Sequence, residues 1–251
     1  MFHVEDVIFD KEIKELNMEA LTGVIGAMES EVLLLREKMH IWKTETISGM
    51  TFWEGSLNDH PLVLVKCGVG KVAAAICAQT LILRYGVERV INIGVAGALD
   101  KHLSVGDIVV STEAVQHDFD IGGLAGSEKM ELPAMSVLKA DGELRQKAVT
   151  AAKKVAPKVQ VLEGRVCSGD QFIAGKAKKQ AIIDKHDGSC CEMEGAAIAQ
   201  VCDMNGIPFV VIRAISDKAD ESGELTFSAL SDAVARRSAA IVSDMLEDFH
   251  R

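Results

Sequence analysis

Cations are in the minority. The 251 residues hold 27 Lys and Arg against 37 Asp and Glu, a formal net charge of −10. Gripping a phosphate backbone needs clustered cations, so nucleic-acid binding is excluded as the main role. The one basic run, "GKAKKQAIIDKH" (175–186), reads as a solvated helix face. No stretch of 18 consecutive apolar residues is present, which leaves no candidate membrane-spanning helix. The acid-rich opening, residues 1–20, lacks the apolar core of a signal peptide and is set apart as an N-terminal extension of unknown role. Prolines number only four, and there is neither a low-complexity linker nor an internal repeat, so residues 21–251 read as one continuous domain. The six cysteines form no CxxC pair and several sit in apolar runs, as small core residues of a reduced, cytoplasmic protein do. The seven histidines show no ligand spacing. "QHDFD" (116–120) has no HExxH or paired cysteine to support it, and no metal or other cofactor is expected.

What is present is a core. Hydrophobic residues make up 48% of the chain, and apolar β-branched runs alternate with helical patterns. "LTGVIGA" (21–27) precedes a helical 30–40, and "PLVLVKCG" (61–68) precedes 71–86. "RVINIG" (89–94), "GDIVVSTEAV" (106–115), "VQVLEGRVCSG" (159–169), "SCCEME" (189–194) and "PFVVIRAISD" (208–217) follow, with helices at 141–155, near 176–185, at 195–205 and at 228–248. Asn205-Gly206 and Pro208 stop the 195–205 helix. Near-continuous apolar strands separated by helices predict an α/β fold whose largely parallel sheet is covered on both faces.

Ligands of such sheets bind beyond the carboxyl ends of the strands. Carboxylates recur there: Glu31, Asp170, Glu192, Glu194 and Asp217, with glycine turns in the gaps. Each acid taken alone has a plainer reading, Glu31, Glu192 and Glu194 as helix-start acids and Ser216-Asp217 as a cap or turn. "CGVGKVA" (67–73) matches GxGxxA, but the next strand ends in Asn92-Ile93-Gly94 with no acid for a ribose hydroxyl, and Val72 stands where Walker A needs Ser or Thr. By strand alternation Glu192 and Glu194 share one face with Met193 on the other, and Arg213 shares a face with Asp217. Two carboxylates, a thioether and a nearby Arg suit a flat polar ligand with a hydroxyl pair.

Six blocks in order carry a resemblance: "GVIGAMESEVLLLREKM", "KCGVGKVAAA", "GVAGALDKHLSVGDIVVS", "CSGDQFIAG", "CEMEGAAIAQVC" and "PFVVIRAISDKAD". Together they resemble the 5′-methylthioadenosine/S-adenosylhomocysteine nucleosidases of the nucleoside phosphorylase superfamily. The resemblance implies a three-layer α/β/α fold with a central mixed, largely parallel sheet, in a homodimer that hydrolyses the N-glycosidic bond of a small adenine thionucleoside. By matched position it makes Glu31 the residue that activates water and Asp217 the general acid on adenine N7, oriented by Ser216. Glu194 would clamp the ribose hydroxyls over Met193, with Glu192 and Arg213 ordering water and carboxylates. Phe172 would stack on adenine and the Ile173 backbone would read its edge. Met28, Val69 and Phe227 would line the ribose and alkylthio end, and Gly97 would touch the ligand through its backbone.

Protonating N7 lets adenine leave as a neutral molecule, and such acid help contributes about 10²–10⁴-fold. Nearby carboxylates would stabilise the oxocarbenium-like C1′. Phosphorolytic relatives need arginines to hold phosphate; "GAMESE" (26–31) and "GVAGALD" (94–100) have none, and an acid in that place favours water. Val95, Ala98 and Leu124 depart from the family pattern and bear on substrate preference. The rival readings are a futalosine or 6-amino-6-deoxyfutalosine hydrolase, a purine nucleoside phosphorylase, and a non-catalytic nucleoside-binding protein.

Overall fold

The computed structural model describes residues 20–124, 126, 130–220 and 236–250. The expected N-terminal extension lies outside them save for Ala20, as do Phe227 and the start of the closing helix. Strand β1 (Thr22–Gly26) is buried along its whole length and leads into helix α1 (Glu29–Lys38). A hairpin that the apolar runs did not announce comes next, β2 (His40–Ile47) and β3 (Met50–Leu57). Its strands are half exposed, so they alternate polar and apolar residues and lack the continuous runs of the central strands. Both turns were nevertheless written in the chain. Ser48-Gly49 and Asn58-Asp59 all have positive φ, the geometry of two-residue hairpin turns, and the second leads into β4 (His60–Lys66).

Helix α2 (Lys71–Thr80) continues as a π-helical turn, Leu81–Tyr85, and Gly86 ends it in the left-handed region. Strand β5 (Arg89–Ala98) runs four residues beyond the expected 89–94, taking "GVAGA" into the sheet. Then come β6 (Ile108–Gln116), the short β7 (Leu138–Lys139), α3 (Gly142–Val155), β8 (Val161–Ser168), α4 (Lys176–His186), β9 (Cys190–Glu192), α5 (Gly195–Asn205) and β10 (Phe209–Asp217). Asp141 caps α3 by accepting the Leu144 N–H at 2.9 Å, and Gly206 ends α5 with φ 67°, the expected stop. Residues 236–247 are helical.

The sheet runs β2-β3-β4-β1-β5 and then closes on itself, β5-β9-β8-β6-β10 and back to β5. Five strand pairs are parallel (β1 with β4 and β5, β5 with β10, β6 with β8, β8 with β9). Five are antiparallel (β2–β3, β3–β4, β5–β9, β6–β7, β6–β10). The α/β class holds and the sheet is mixed, with parallel pairing confined to half of it. Alternation along the strands divides the apolar residues between two cores. Ile25, Val63, Val65 and Val211 pack with α2 and α5. Val24, Leu62, Leu64 and Val210 pack with α1, α3 and residues 239–246. Among the described residues no helix is long and apolar enough to cross a membrane.

Candidate active site

A cavity of about 290 Å³ opens at the carboxyl ends of β1, β5, β9 and β10. Its floor is β5. A Cβ at Gly94 would lie 2.8 Å from Glu31 Oε1 and 3.4 Å from Arg213 Cζ, and one at Gly97 would lie 2.9 Å from Asp217 Oδ1. These glycines therefore admit two carboxylates against the strand. Gly97 lines the cavity as expected, and its missing side chain is also what seats Asp217 there.

Glu31 sits in the first turn of α1, buried. Its Oε2 accepts the N–H groups of Ala27 (2.6 Å) and Met28 (2.9 Å), and its Oε1 that of Val95 (3.1 Å). The same carboxylate thus tethers the first turn of the helix and faces the cavity, so its place as a helix-start acid leaves it available to a ligand. Burial pushes its pKa up; Arg213 and the three N–H groups oppose that.

Arg213 is 1% exposed and lies behind the cavity wall. Its Nε donates to Glu192 Oε2 at 3.1 Å and Nη2 makes a second, short contact with the same oxygen. Nη2 also donates to Asn92 Oδ1 at 2.5 Å, and Nη1 to the Ile212 carbonyl at 3.1 Å. Glu192 accepts further from the Gly195 N–H (2.8 Å), the Glu194 N–H (3.2 Å) and the Ser168 hydroxyl. The Ser168 oxygen accepts the Ala196 N–H at 2.7 Å. Glu192 is therefore the hub that joins the buried guanidinium to the N-terminus of α5.

The expectation that Met193 turns away from its neighbours is corrected. β9 ends at Glu192, and Glu194 has φ −133° and ψ −40°, outside extended geometry. Glu192, Met193 and Glu194 consequently all line the cavity. Glu194 Oε1 accepts the Gly70 N–H at 2.8 Å, so the GxGxxA turn serves a carboxylate of the chain itself. Burial, then the neighbouring Glu192, push Glu194 up to about 7, with Arg213 and the Gly70 N–H opposing. Asp217 Oδ2 accepts the Ser216 hydroxyl at 2.7 Å and Oδ1 the Ala219 N–H at 2.8 Å. Phe172, Ile173, Met28 and Val69 complete the expected lining, Ile173 buried and Phe172 and Val69 exposed at the rim.

Eleven of the thirteen expected residues thus line one cavity. Arg213 stands behind it, and Phe227 lies outside the described residues. Asn92 and Ser168 were missed as participants. The available signal was a lone amide inside the apolar "VINI" and a serine closing β8; Asn92, buried, also donates Nδ2 to the Ile25 carbonyl at 3.0 Å.

A pH dependence follows from Glu194. Its ionised form is the stronger acceptor for a pair of ligand hydroxyls, and that form is progressively lost as pH falls below about 7. On the ribose-clamp role that the resemblance implies for Glu194, affinity for a non-hydrolysable nucleoside with a free 2′,3′-diol should rise by up to about tenfold per pH unit up to about 7 and level off above it. Calorimetry from pH 5 to 8.5 checks this, and Glu194→Gln should flatten the profile.

Comparison with known proteins agrees with the geometry. A family model described as "Phosphorylase superfamily" matches residues 22–247. A 5′-methylthioadenosine/S-adenosylhomocysteine nucleosidase of Bacillus thuringiensis is 40% identical over 231 residues, 90% of this chain and 98% of its own. A solved nucleosidase of the same name from Colwellia psychrerythraea, in complex with adenine, is 37% identical with a TM-score of 0.85, covering 91% of this chain and 95% of its own. A futalosine hydrolase of Helicobacter pylori is 30% identical with a TM-score of 0.85, covering 92% and 99%. The chain belongs to the phosphorylase superfamily and, within it, to the 5′-methylthioadenosine/S-adenosylhomocysteine nucleosidases.

Proposed function

We propose that this chain hydrolyses the N-glycosidic bond of 5′-methylthioadenosine and S-adenosylhomocysteine, releasing adenine and the thioribose product. The observation that carries the reading is the placement of Glu31 and Asp217, both buried, in the lining of one cavity that also holds Glu194, Met193 and Phe172.

In the mechanism, adenine stacks on Phe172 and its edge meets the Ile173 backbone. Asp217 gives a proton to N7, so the base leaves neutral. The C1′–N9 bond breaks toward an oxocarbenium ion whose positive charge the surrounding carboxylates stabilise. Glu31 takes a proton from the attacking water. Its three backbone N–H partners aim the carboxylate and keep it from rotating, so little reorganisation is needed as the proton moves. Glu194 holds the ribose hydroxyls above Met193, and Arg213 balances the clustered negative charge from behind Glu192. Val69 and Met28 border the alkylthio end.

We read residues 21–251 as one domain and the two cores as the two outer interfaces of a three-layer α/β/α arrangement. The chain is further read as a cytoplasmic homodimer. Val72, Ile76 and Leu83 form an exposed apolar stripe along α2 and its π-helical continuation, beside Val69 at the cavity rim. Leu124, exposed, would reach the partner's cavity.

Adenine release from methylthioadenosine should proceed at the same rate with and without phosphate, with free methylthioribose as the sugar product. Phosphate dependence and a sugar phosphate would assign a phosphorylase instead. The second reading, an aminodeoxyfutalosine or futalosine hydrolase, is favoured by the likeness to the Helicobacter pylori enzyme. Turnover of those substrates in place of methylthioadenosine would establish it.

A further inference from the structure

Three motifs remain outside the chemistry described above: Lys71 at the end of "CGVGK", the "QHDFD" segment, and Asp170 of "SGDQFIAG". They converge on one another. Lys71 Nζ donates to Asp118 Oδ1 at 2.6 Å and to Gln116 Oε1 at 2.9 Å. The Lys71 N–H donates to Asp170 Oδ1 at 2.8 Å, and the Asp170 N–H donates to Asp118 Oδ2 at 2.8 Å. Gln116 Nε2 donates to Gln200 Oε1 on α5 at 2.6 Å, which turns the amide oxygen of Gln116 toward Lys71. Strand ends of β4, β6 and β8 are thereby tied together beside the cavity mouth.

The ties are shielded. The side chains of Lys71 and Asp118 are each 17% exposed, and against its own burial Asp118 is held below the usual carboxylate range by Lys71 and the Asp170 N–H. They are also placed where apolar packing does little. Gly169 is anchored through its N–H to the Glu192 carbonyl at 3.0 Å, and Ile173 is buried, but Phe172 between them is 45% exposed. On the other loop Val69 is 58% exposed. The next residue, Gly70, has φ +99°, and a Cβ there would come within 3.1 Å of Asp170 Oδ1. Gly70 is also the residue whose N–H holds Glu194. One polar cluster thus fixes both the rim and the turn behind the ribose carboxylate.

We propose that Lys71, Asp118 and Asp170 are positioning residues that latch the Phe172 loop to the Val69 loop, and so set how tightly the base is held. The inference rests on reading Phe172 as the side chain that stacks on adenine. A rim ordered in advance loses little freedom when the base arrives, whereas an unlatched rim must be ordered by binding itself, and affinity falls. The latch touches neither Glu31 nor Asp217, and loss of the Lys71 ammonium leaves the Gly70 N–H on Glu194, so the chemical step is left alone.

Lys71→Met keeps the stem and the backbone N–H to Asp170 and removes only the ammonium. KM for methylthioadenosine and the dissociation constant of adenine should rise together by about tenfold, with kcat within about twofold of the parent, the scale expected for one shielded charge-assisted tie. Asp118→Asn, which keeps an oxygen for Lys71, should fall between the two, and it carries the test if Lys71→Met does not fold. Unchanged base affinity in the variants overturns the latch, as does a loss of kcat that follows a fall in Tm. Adenine binding by the parent chain without turnover would overturn the hydrolase reading and leave the latch measurable on adenine affinity. No adenine binding by the parent chain overturns both.

Discussion

Asp217→Asn is expected to fold, to bind methylthioadenosine and to release adenine at least about 10²–10⁴-fold more slowly than the parent chain. The amide fills the same space, its oxygen can still accept the Ala219 N–H, and its NH2 can donate to the Ser216 hydroxyl, which keeps the Ala96 carbonyl as its own acceptor, so the loop beyond β10 has no reason to move. What it cannot do is transfer a proton to N7 and itself carry the resulting negative charge. Adenine would then have to leave as an anion. Single-turnover measurement of adenine release isolates this step, and a nucleoside analogue confirms that the binding site survives. Chromatography with light scattering should report a dimer for both proteins; a monomeric parent chain would overturn the dimer reading. Turnover at the parent rate in the variant would remove Asp217 from the role of general acid.

Arg213→Met should cost about 3–5 kcal/mol of stability, which for a chain of this size lowers Tm by about 6–20 °C. The guanidinium is wholly buried, and its loss leaves Glu192 charged without its cation and Asn92 Oδ1 without its donor. Pairing the change with Glu192→Gln should recover most of the stability, because the amide stays neutral and still accepts the Gly195 N–H. Activity should not return with it, since Glu31 and Glu194 would still lack the cation that favours their ionised forms. Calorimetric unfolding of the single and double variants, beside their turnover, checks both halves. A single variant as stable as the parent would show that the ion pair is solvated in solution.

What the sequence disclosed follows a physical divide. Central strands such as "PLVLVK" and "PFVVIRAIS" are apolar on both faces, so a run of residues announces them without knowledge of the partner strands. The hairpin 40–57 is half exposed and shows itself only through alternation and its turn residues. The carboxylates were legible because strand-end acids beside glycines are chemically conspicuous. Their supports were not. Asn92 earns its place through Arg213, which is 121 residues away in the chain. Gly94 matters because of Glu31, and no local pattern encodes that approach. Nor did alternation anticipate the backbone turn at Glu194, which is set by the start of α5 and by the Glu194 and Gly195 N–H groups turned onto Glu192.

The closure of β5, β9, β8, β6 and β10 into a ring divides the molecule by time as well as by space. Every strand of a ring has a neighbour on each side, so none can peel away from a free edge. Amide hydrogens in β5 and β10 should therefore exchange with solvent only when the ring opens as a whole, while those of the rim at 169–173 escape through small local openings. Asp217 and Arg213 belong to β10, and Phe172 to the rim. Side chains carried on the ring should therefore hold their aim for as long as the ring stays closed, whatever small openings the latched rim undergoes.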